Sequence, residues 1–283
     1  MRWSALAAAR DTAIARVPWL IAGMRVGSVD RRHLPALAPY RDTLIVADDQ
    51  VALHPALVDA AERTAALVPI NRALRDAGLI AAWRDETYAI VSRHGAEPLA
   101  LIERAAARFW GTLTFGAHCT GYLAGPSGRP THLWIARRAL TKGTDPGKLD
   151  NLVGGGVPHG QTPFETLLRE GFEEAGLDAA TMRLATPGRV IELARDIQEG
   201  FMHELLYTFD LRLPADLTPI NQDGEVAELR LLPVDEALML AAGDTMTVDA
   251  ALVTLDFALR HQLCSAADRE HLSARLTPLL SIP

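Results

Sequence analysis

The sequence predicts an α+β fold: a mixed sheet between helices, preceded by a smaller α/β module. Three observations lead there. Strand-like apolar runs at 114–124, 132–138, 189–193, 204–213 and 227–233 are interleaved with helical stretches but lack the regular alternation of a parallel fold. A glycine run at 154–156 leads into a helix-start signature at Thr162. The chain has 283 residues, 49% of them hydrophobic, which suits one large or two modest globular domains.

The elements follow in order. The alanine-rich start is interrupted by Arg10, Asp11 and Arg16, which predicts an amphipathic helix rather than a signal-peptide core. Residues 52–77 are rich in alanine and leucine and read as helix, ended by Gly78, with Pro69 as a kink or a fresh start. Residues 83–92 read as a strand, His94 and Gly95 as a turn, 98–102 as the returning strand and 103–110 as a helix. These form a first domain over 1–112. A second domain over 113–283 begins with the strands 114–124 and 132–138 around the turn-rich 125–130. Residues 141–149 make a loop of Lys, Gly, Asp and Pro. A helix over 162–175 has Thr162 as N-cap, Pro163 at its first position, Glu165 at capping-box spacing and Gly176 as its stop. Three strands follow, then helices at 233–242 and 248–263 and a short helical tail.

A net charge of −7 excludes a nucleic-acid backbone as main partner, since that needs a basic face. The apolar runs are too short for a bilayer, so no membrane partner is expected. Cys119 and Cys264 are the only cysteines and read as reduced thiols in a cytoplasmic protein.

The helix over 162–175 carries the chemistry. Glu170, Glu173 and Glu174 stand at i, i+3 and i+4 and so share one face. Three adjacent like charges repel unless a cation sits among them, and a hard divalent ion with oxygen ligands suits the group. Such a face on an isolated helix is usually plain solvated surface; here the leading glycines and Arg169 favour function. Arg137, Arg138 and Lys142 are phosphate-binding candidates, with a solvated strand end as the alternative. Asp145 and Asp150 read as loop-shaping, His118 and His159 as structural, and Trp110 and Trp134 as core. Glu199 and Glu204 are weaker candidates for a base. Trp83 or Tyr88 could stack on a ring, though packing is the default.

The frame Gly155, Arg169, Glu170, Glu173, Glu174, Gly176, Leu177 resembles the Nudix box. Two positions depart from it: Gln161 stands where a glutamate is usual, and Gly171 where a bulky apolar residue is usual. The likeness extends over roughly residues 20–260. It includes Leu133-Trp134-Ile135-Ala136-Arg137-Arg138, the 142–151 loop, Asn221-Gln222-Asp223-Gly224-Glu225-Val226, Glu62-Arg63-Thr64, residues 83–88 and Glu103-Arg104-Ala105. These resemble a thiamine-pyrophosphokinase-related subgroup, similar to pyrophosphatases of thiamine diphosphate and its oxidised derivatives. The resemblance implies a Nudix-type α/β/α sandwich and a small organic diphosphate as substrate. It also implies Mg²⁺ or Mn²⁺ held by Glu170, Glu173 and Glu174, with Glu174 or Glu225 as general base and Arg169 as helix anchor. Gly155 and Gly156 would lie against the substrate. Two alternatives are carried. One is an isopentenyl-diphosphate-isomerase-like enzyme, which needs a cysteine proton donor that the context of Cys119 does not match. The other is a non-catalytic ligand-sensing module. A homodimer is left open.

Overall fold

The computed structural model describes residues 2–281. After α1 (Ala5–Ala8), the first domain opens with β1 (Arg16–Ile21), β2 (Met24–Asp30), α2 (Leu34–Leu37), β3 (Leu44–Val46) and β4 (Val51–Leu53). These strands form a sheet in the order β2-β1-β4-β3, with β1 parallel to β4 and antiparallel to β2. None of them was expected from the sequence. In β1 only Val17, Trp19 and Ile21 are buried, but Pro18 and Leu20 between them hide the alternation. The stretch expected as helix from residue 52 begins as β4, and α3 (Ala60–Asp76) starts later. It is capped by Asp59, whose side chain accepts from the Glu62 amide at 2.8 Å. Pro69 lies inside α3, where it removes one helical donor without ending the helix. The hairpin β5 (Thr87–Ile90) and β6 (Ala100–Glu103) precedes α4 (Arg104–Trp110). Glu103 caps α4 by accepting from the amides of Ala105 and Ala106. Trp110 packs at 4.5 Å on Trp19 and donates to Asn71 at 2.8 Å, so α4 is fixed to this core.

The second domain comprises β7 (Leu113–Ala124), β8 (Pro130–Arg138), β9 (Leu149–Asp150), β10 (Val153–Gly156), α5 (Pro163–Ala175), α6 (Ala179–Met182), β11 (Thr186–Ile197), β12 (Gly200–Arg212), β13 (Val226–Pro233), α7 (Val234–Ala242), α8 (Val248–Arg260), α9 (Ala266–Leu276) and β14 (Leu280–Ser281). Its sheet runs β13-β8-β7-β12-β11-β14, with β10 paired to β7 and β9 to β8. The β7–β12 pair is parallel and its neighbours antiparallel, so the sheet is mixed, as expected. Side chains alternate across it. Ala117, Cys119, Phe209 and Leu211 face Leu167 of α5. Leu206, Ile191 and Leu193 face α8. The two helical layers complete an α/β/α sandwich. The glycine run is strand β10 rather than a turn, with Gly154 opposite His118 and Gly155 opposite Ala117.

The start of the chain is not part of the first domain's core. Trp3, Ala5, Leu6 and Ala9 pack with α8 in the second. The Ala194 amide donates to the Ala9 carbonyl at 3.0 Å and the Asp196 amide to that of Asp11 at 2.9 Å. The expected N-terminal helix is a single turn, and the first domain is joined to the second at both ends. Among the described residues no helix is long and apolar enough to cross a membrane.

Candidate active site

Helix α5 is set by its caps. Thr162 accepts from the Glu165 amide at 3.2 Å while the Glu165 carboxylate accepts from the Thr162 amide at 2.8 Å, with Pro163 in the first turn. Gly176 ends the helix with φ of 64°, its amide bonded to the Phe172 carbonyl at 2.9 Å. Leu167 and Ala175 are buried against the sheet. The two departures from the expected frame have local explanations. Gln161 accepts from the Thr166 hydroxyl at 3.0 Å and so fastens the loop to the first turn. Gly171 faces the Met182 side chain of α6, which stands where a larger residue would reach.

The caps and this packing bring the carboxylates to β10. Glu174 is buried; one oxygen accepts from the Gly154 amide at 2.8 Å and the other lies 4.0 Å from the Lys142 ammonium. Burial, then the charge of Glu170, pushes the Glu174 carboxyl well above the usual range. Glu170 lies against Gly155 so closely that any side chain there would collide with it. Its carboxyl is also raised by burial, against the pull of Arg169. Arg169 donates to Glu170 and to the more exposed Glu173, each at 2.8 Å, which is the geometry of a helix anchor. Among the described residues no three His, Cys, Asp or Glu side chains converge closely enough to hold a metal ion, and Arg169 occupies Glu170 and Glu173. The donor set still fits a hard divalent ion. It is all oxygen, and the charge of half-buried Glu170 raises the cost of ionising buried Glu174.

Glu225 comes to the same place from the far end of the sheet. It pairs with Lys142 and, at 2.9 Å, with Arg84 of the first domain. Burial pushes its carboxyl up, but those cations outweigh it and hold Glu225 below the usual range. The other basic candidates are engaged within the protein, although Arg138 also lines the cavity beside residues 154–156. Arg137 donates to the Gly147 carbonyl at 3.0 Å and pairs with Glu228 at 3.4 Å. Arg138 is spent on the Thr144 carbonyl and Asp150, both at 2.9 Å, and shapes the 141–149 loop. Gly156 packs against Tyr88 and Arg104 of the first domain.

A cavity of about 360 Å³ opens beside residues 154–156, on the face of the sheet that carries α8. Its lining includes Arg104 and Arg108 of α4, His118, Arg195, Glu204 and Asp249. Burial and the charge of Glu204 push the Asp249 carboxyl up to about 6. Sequence reasoning did not single out Arg104, Arg108, Arg195 or Asp249 as site residues. The only signal in the chain was the i, i+4 spacing of Arg104 and Arg108.

A capped helix pressing buried carboxylates onto a glycine strand, beside an arginine-lined cavity, defines an enzyme that works on phosphate anhydrides. Residues 119–251 match the family model described as NUDIX domain, and residues 5–114 match one described as Domain of unknown function (DUF4743). The chain is 34% identical over 250 residues to Nudix hydrolase 24, chloroplastic, of Arabidopsis thaliana, covering 87% of this chain and 68% of that one. Nudix hydrolase 20, chloroplastic, of the same plant is 34% identical over 256 residues, with the same coverage. A crystal structure from Deinococcus radiodurans aligns with 61% of this chain and 99% of its own, at 25% identity and a TM-score of 0.45. The chain belongs to the Nudix hydrolases, in a form that carries the DUF4743 domain ahead of the catalytic one.

Proposed function

We propose that the enzyme hydrolyses a small organic diphosphate to its monophosphate and phosphate with Mg²⁺ or Mn²⁺, and that thiamine diphosphate or an oxidised derivative is the substrate. The observation that carries the reaction is Glu174: a buried carboxylate of raised proton affinity, beside Glu170, on the glycine strand. A divalent ion held by Glu170, Glu173 and Glu174 would neutralise the diphosphate and acidify the attacking water. Glu174 takes the proton from that water, because a carboxyl raised towards neutrality is the better base. Glu225, held ionised by Lys142 and Arg84, is the weaker candidate. Arg169 keeps Glu170 and Glu173 in place, and the lack of a side chain at Gly155 lets Glu170 lie directly against the strand. Lys142, between Glu174 and Glu225, offers a cation to the leaving phosphate. The thiamine assignment is supported by the motifs of the first domain and of the 142–151 loop.

The isomerase alternative is disfavoured by Cys119. It is enclosed in the core under α5 and its thiol is pushed up by burial, so it cannot serve as a poised proton donor. The test is a phosphate-release screen over nucleotides, sugar nucleotides, thiamine diphosphates and isoprenoid diphosphates in Mg²⁺ and Mn²⁺. Thiamine diphosphates should give the highest kcat/KM; cleavage of nucleotides with thiamine diphosphates untouched would remove the substrate assignment.

A further inference from the structure

The cavity beside β10 has an unusual charge inventory. Most of its ionic groups are matched inside the protein. Arg138 pairs with Asp150 at 2.9 Å, Lys148 with Asp145 at 2.8 Å, and Arg108 with Glu204 at 2.6 Å. Arg104 donates to Glu86 at 2.8 Å and stands 5.8 Å from the Tyr88 ring centroid. A guanidinium carries five donors, so these pairings leave Arg104 and Arg108 with N–H groups to spare at the cavity wall. Arg195, on β11, has no carboxylate partner among the described residues, and its Nε is buried without an acceptor. Leaving such a donor unmade is costly unless a ligand completes it. On the acidic side, Asp249 in the first turn of α8 and Glu199 in the β11–β12 turn line the cavity without a hydrogen bond or ion pair of their own. Asp249 is the desolvated one, and only the more distant charges of His118 and Arg108 offset that. The chamber therefore holds one cation and two carboxylates that make no ion pair within one small space.

We propose that the first domain completes the substrate chamber and that the chamber selects a zwitterionic diphosphate. Arg195, with Arg104 and Arg108 from α4, takes anionic oxygens, and Asp249 takes a cationic or amino group on the organic half. This rests on the hydrolase reading of the neighbouring carboxylate site. A volume of about 360 Å³ is at the small end for ligand pockets, which favours a compact organic group. Helix α4 is anchored in the core of the first domain through Phe109 and Trp110, so its arginines are presented rigidly.

The test uses the full chain and two readouts. By calorimetry in EDTA, with inorganic pyrophosphate as probe, Arg195→Gln should bind at least tenfold more weakly than wild type. The double variant Arg108→Gln/Glu204→Gln removes both members of a buried pair and strands neither; it too should bind pyrophosphate more weakly while melting near the wild-type temperature. In steady-state kinetics, Asp249→Asn should raise KM for thiamine diphosphate at least tenfold relative to KM for a diphosphate whose organic group, prenyl or sugar, is uncharged. Failure of the wild type to bind pyrophosphate, unchanged binding by Arg195→Gln, or an equal effect of Asp249→Asn on both substrate types overturns the proposal. Unchanged affinity in the double variant removes the first domain from the site. A wild type that binds pyrophosphate but cleaves no diphosphate defeats the hydrolase reading and leaves the binding assignments to the calorimetry.

Discussion

Two clusters of buried carboxylates lie on opposite faces of the second domain's sheet, and they are built on opposite principles. On the α8 face, Arg260 donates to Asp256 at 2.7 Å and to Asp210 at 2.5 and 2.7 Å. Arg189 also pairs with Asp256, and His261 contacts Asp210 at 2.8 Å. Burial alone would push the Asp210 carboxyl up, but these partners overcome it and hold Asp210 below its usual range. On the α5 face, Glu174 has one backbone donor and an ammonium 4.0 Å away, and its carboxyl is raised. Where the chain supplies its own countercharge, carboxylates serve the fold. Glu170 and Glu173 have Arg169, but Glu174 receives little countercharge, which suits the divalent cation proposed for it.

The largest test of that contrast is Glu174→Gln. Turnover should fall by roughly 10²–10⁴-fold, while the variant melts no lower than the wild type in chelator, because a strained buried charge is gone. Added Mg²⁺ should raise the melting temperature of the wild type and leave that of Glu174→Gln nearly unmoved. Wild-type turnover in the variant would end the proposed role of Glu174.

Next in size is Arg260→Gln, which leaves Asp210 with only His261 and Asp256 with only Arg189 as a countercharge. Urea denaturation should show a loss of about 3–5 kcal/mol; a loss below about 1 kcal/mol would mean that the cluster is not held as described.

The two clusters should also respond to pH with opposite sign. Asp210 has a depressed carboxyl, so its contribution is present above the unfolded value near about 4 and is lost as pH falls through the lower folded value. Glu174 has a raised carboxyl, so its penalty is absent below the unfolded value and grows as pH rises towards the folded one. Denaturant titrations in chelator should therefore show the deficit of Asp210→Asn shrinking below about pH 4, and the advantage of Glu174→Gln growing above it. Parallel curves for either variant would contradict the assignment.

The smallest effect is expected at Arg84, whose pair with Glu225 is one-third exposed on each side. Arg84→Ala should cost no more than about 1 kcal/mol. If it moves the acid limb of the pH–rate profile, Glu225 rather than Glu174 is the base.

Local signals made α5 readable from the sequence. Thr162, Pro163, Glu165 and Gly176 are short-range rules that the folded chain obeys, and Arg169 lands on its own helical neighbours. What depended on distant pairing was not readable. Strands of three residues such as β3 and β4 are fixed by their partners, not by their own periodicity. Residues 154–156 look like a turn by propensity, yet form a strand through pairing with β7, and close approach of Glu170, Tyr88 and Arg104 suits glycine at 155 and 156. Arg137 and Arg138 read as phosphate candidates from their position at a strand end; carbonyls and carboxylates take up some of their donors, and Arg138 also lines the cavity. Arg104, Arg108, Arg195 and Asp249 come from three separate elements, and only the tertiary fold brings them together.

Trp3 and its neighbours have a mechanical consequence. The polypeptide touches the catalytic core first, departs to build the DUF4743 unit, and re-enters at Leu113. That unit is thus tied to the second domain at both of its ends, and between them Tyr88 and Arg104 sit against Gly156 of β10. A fragment cut at residue 113 would lose both that unit and the packing of Trp3 against α8.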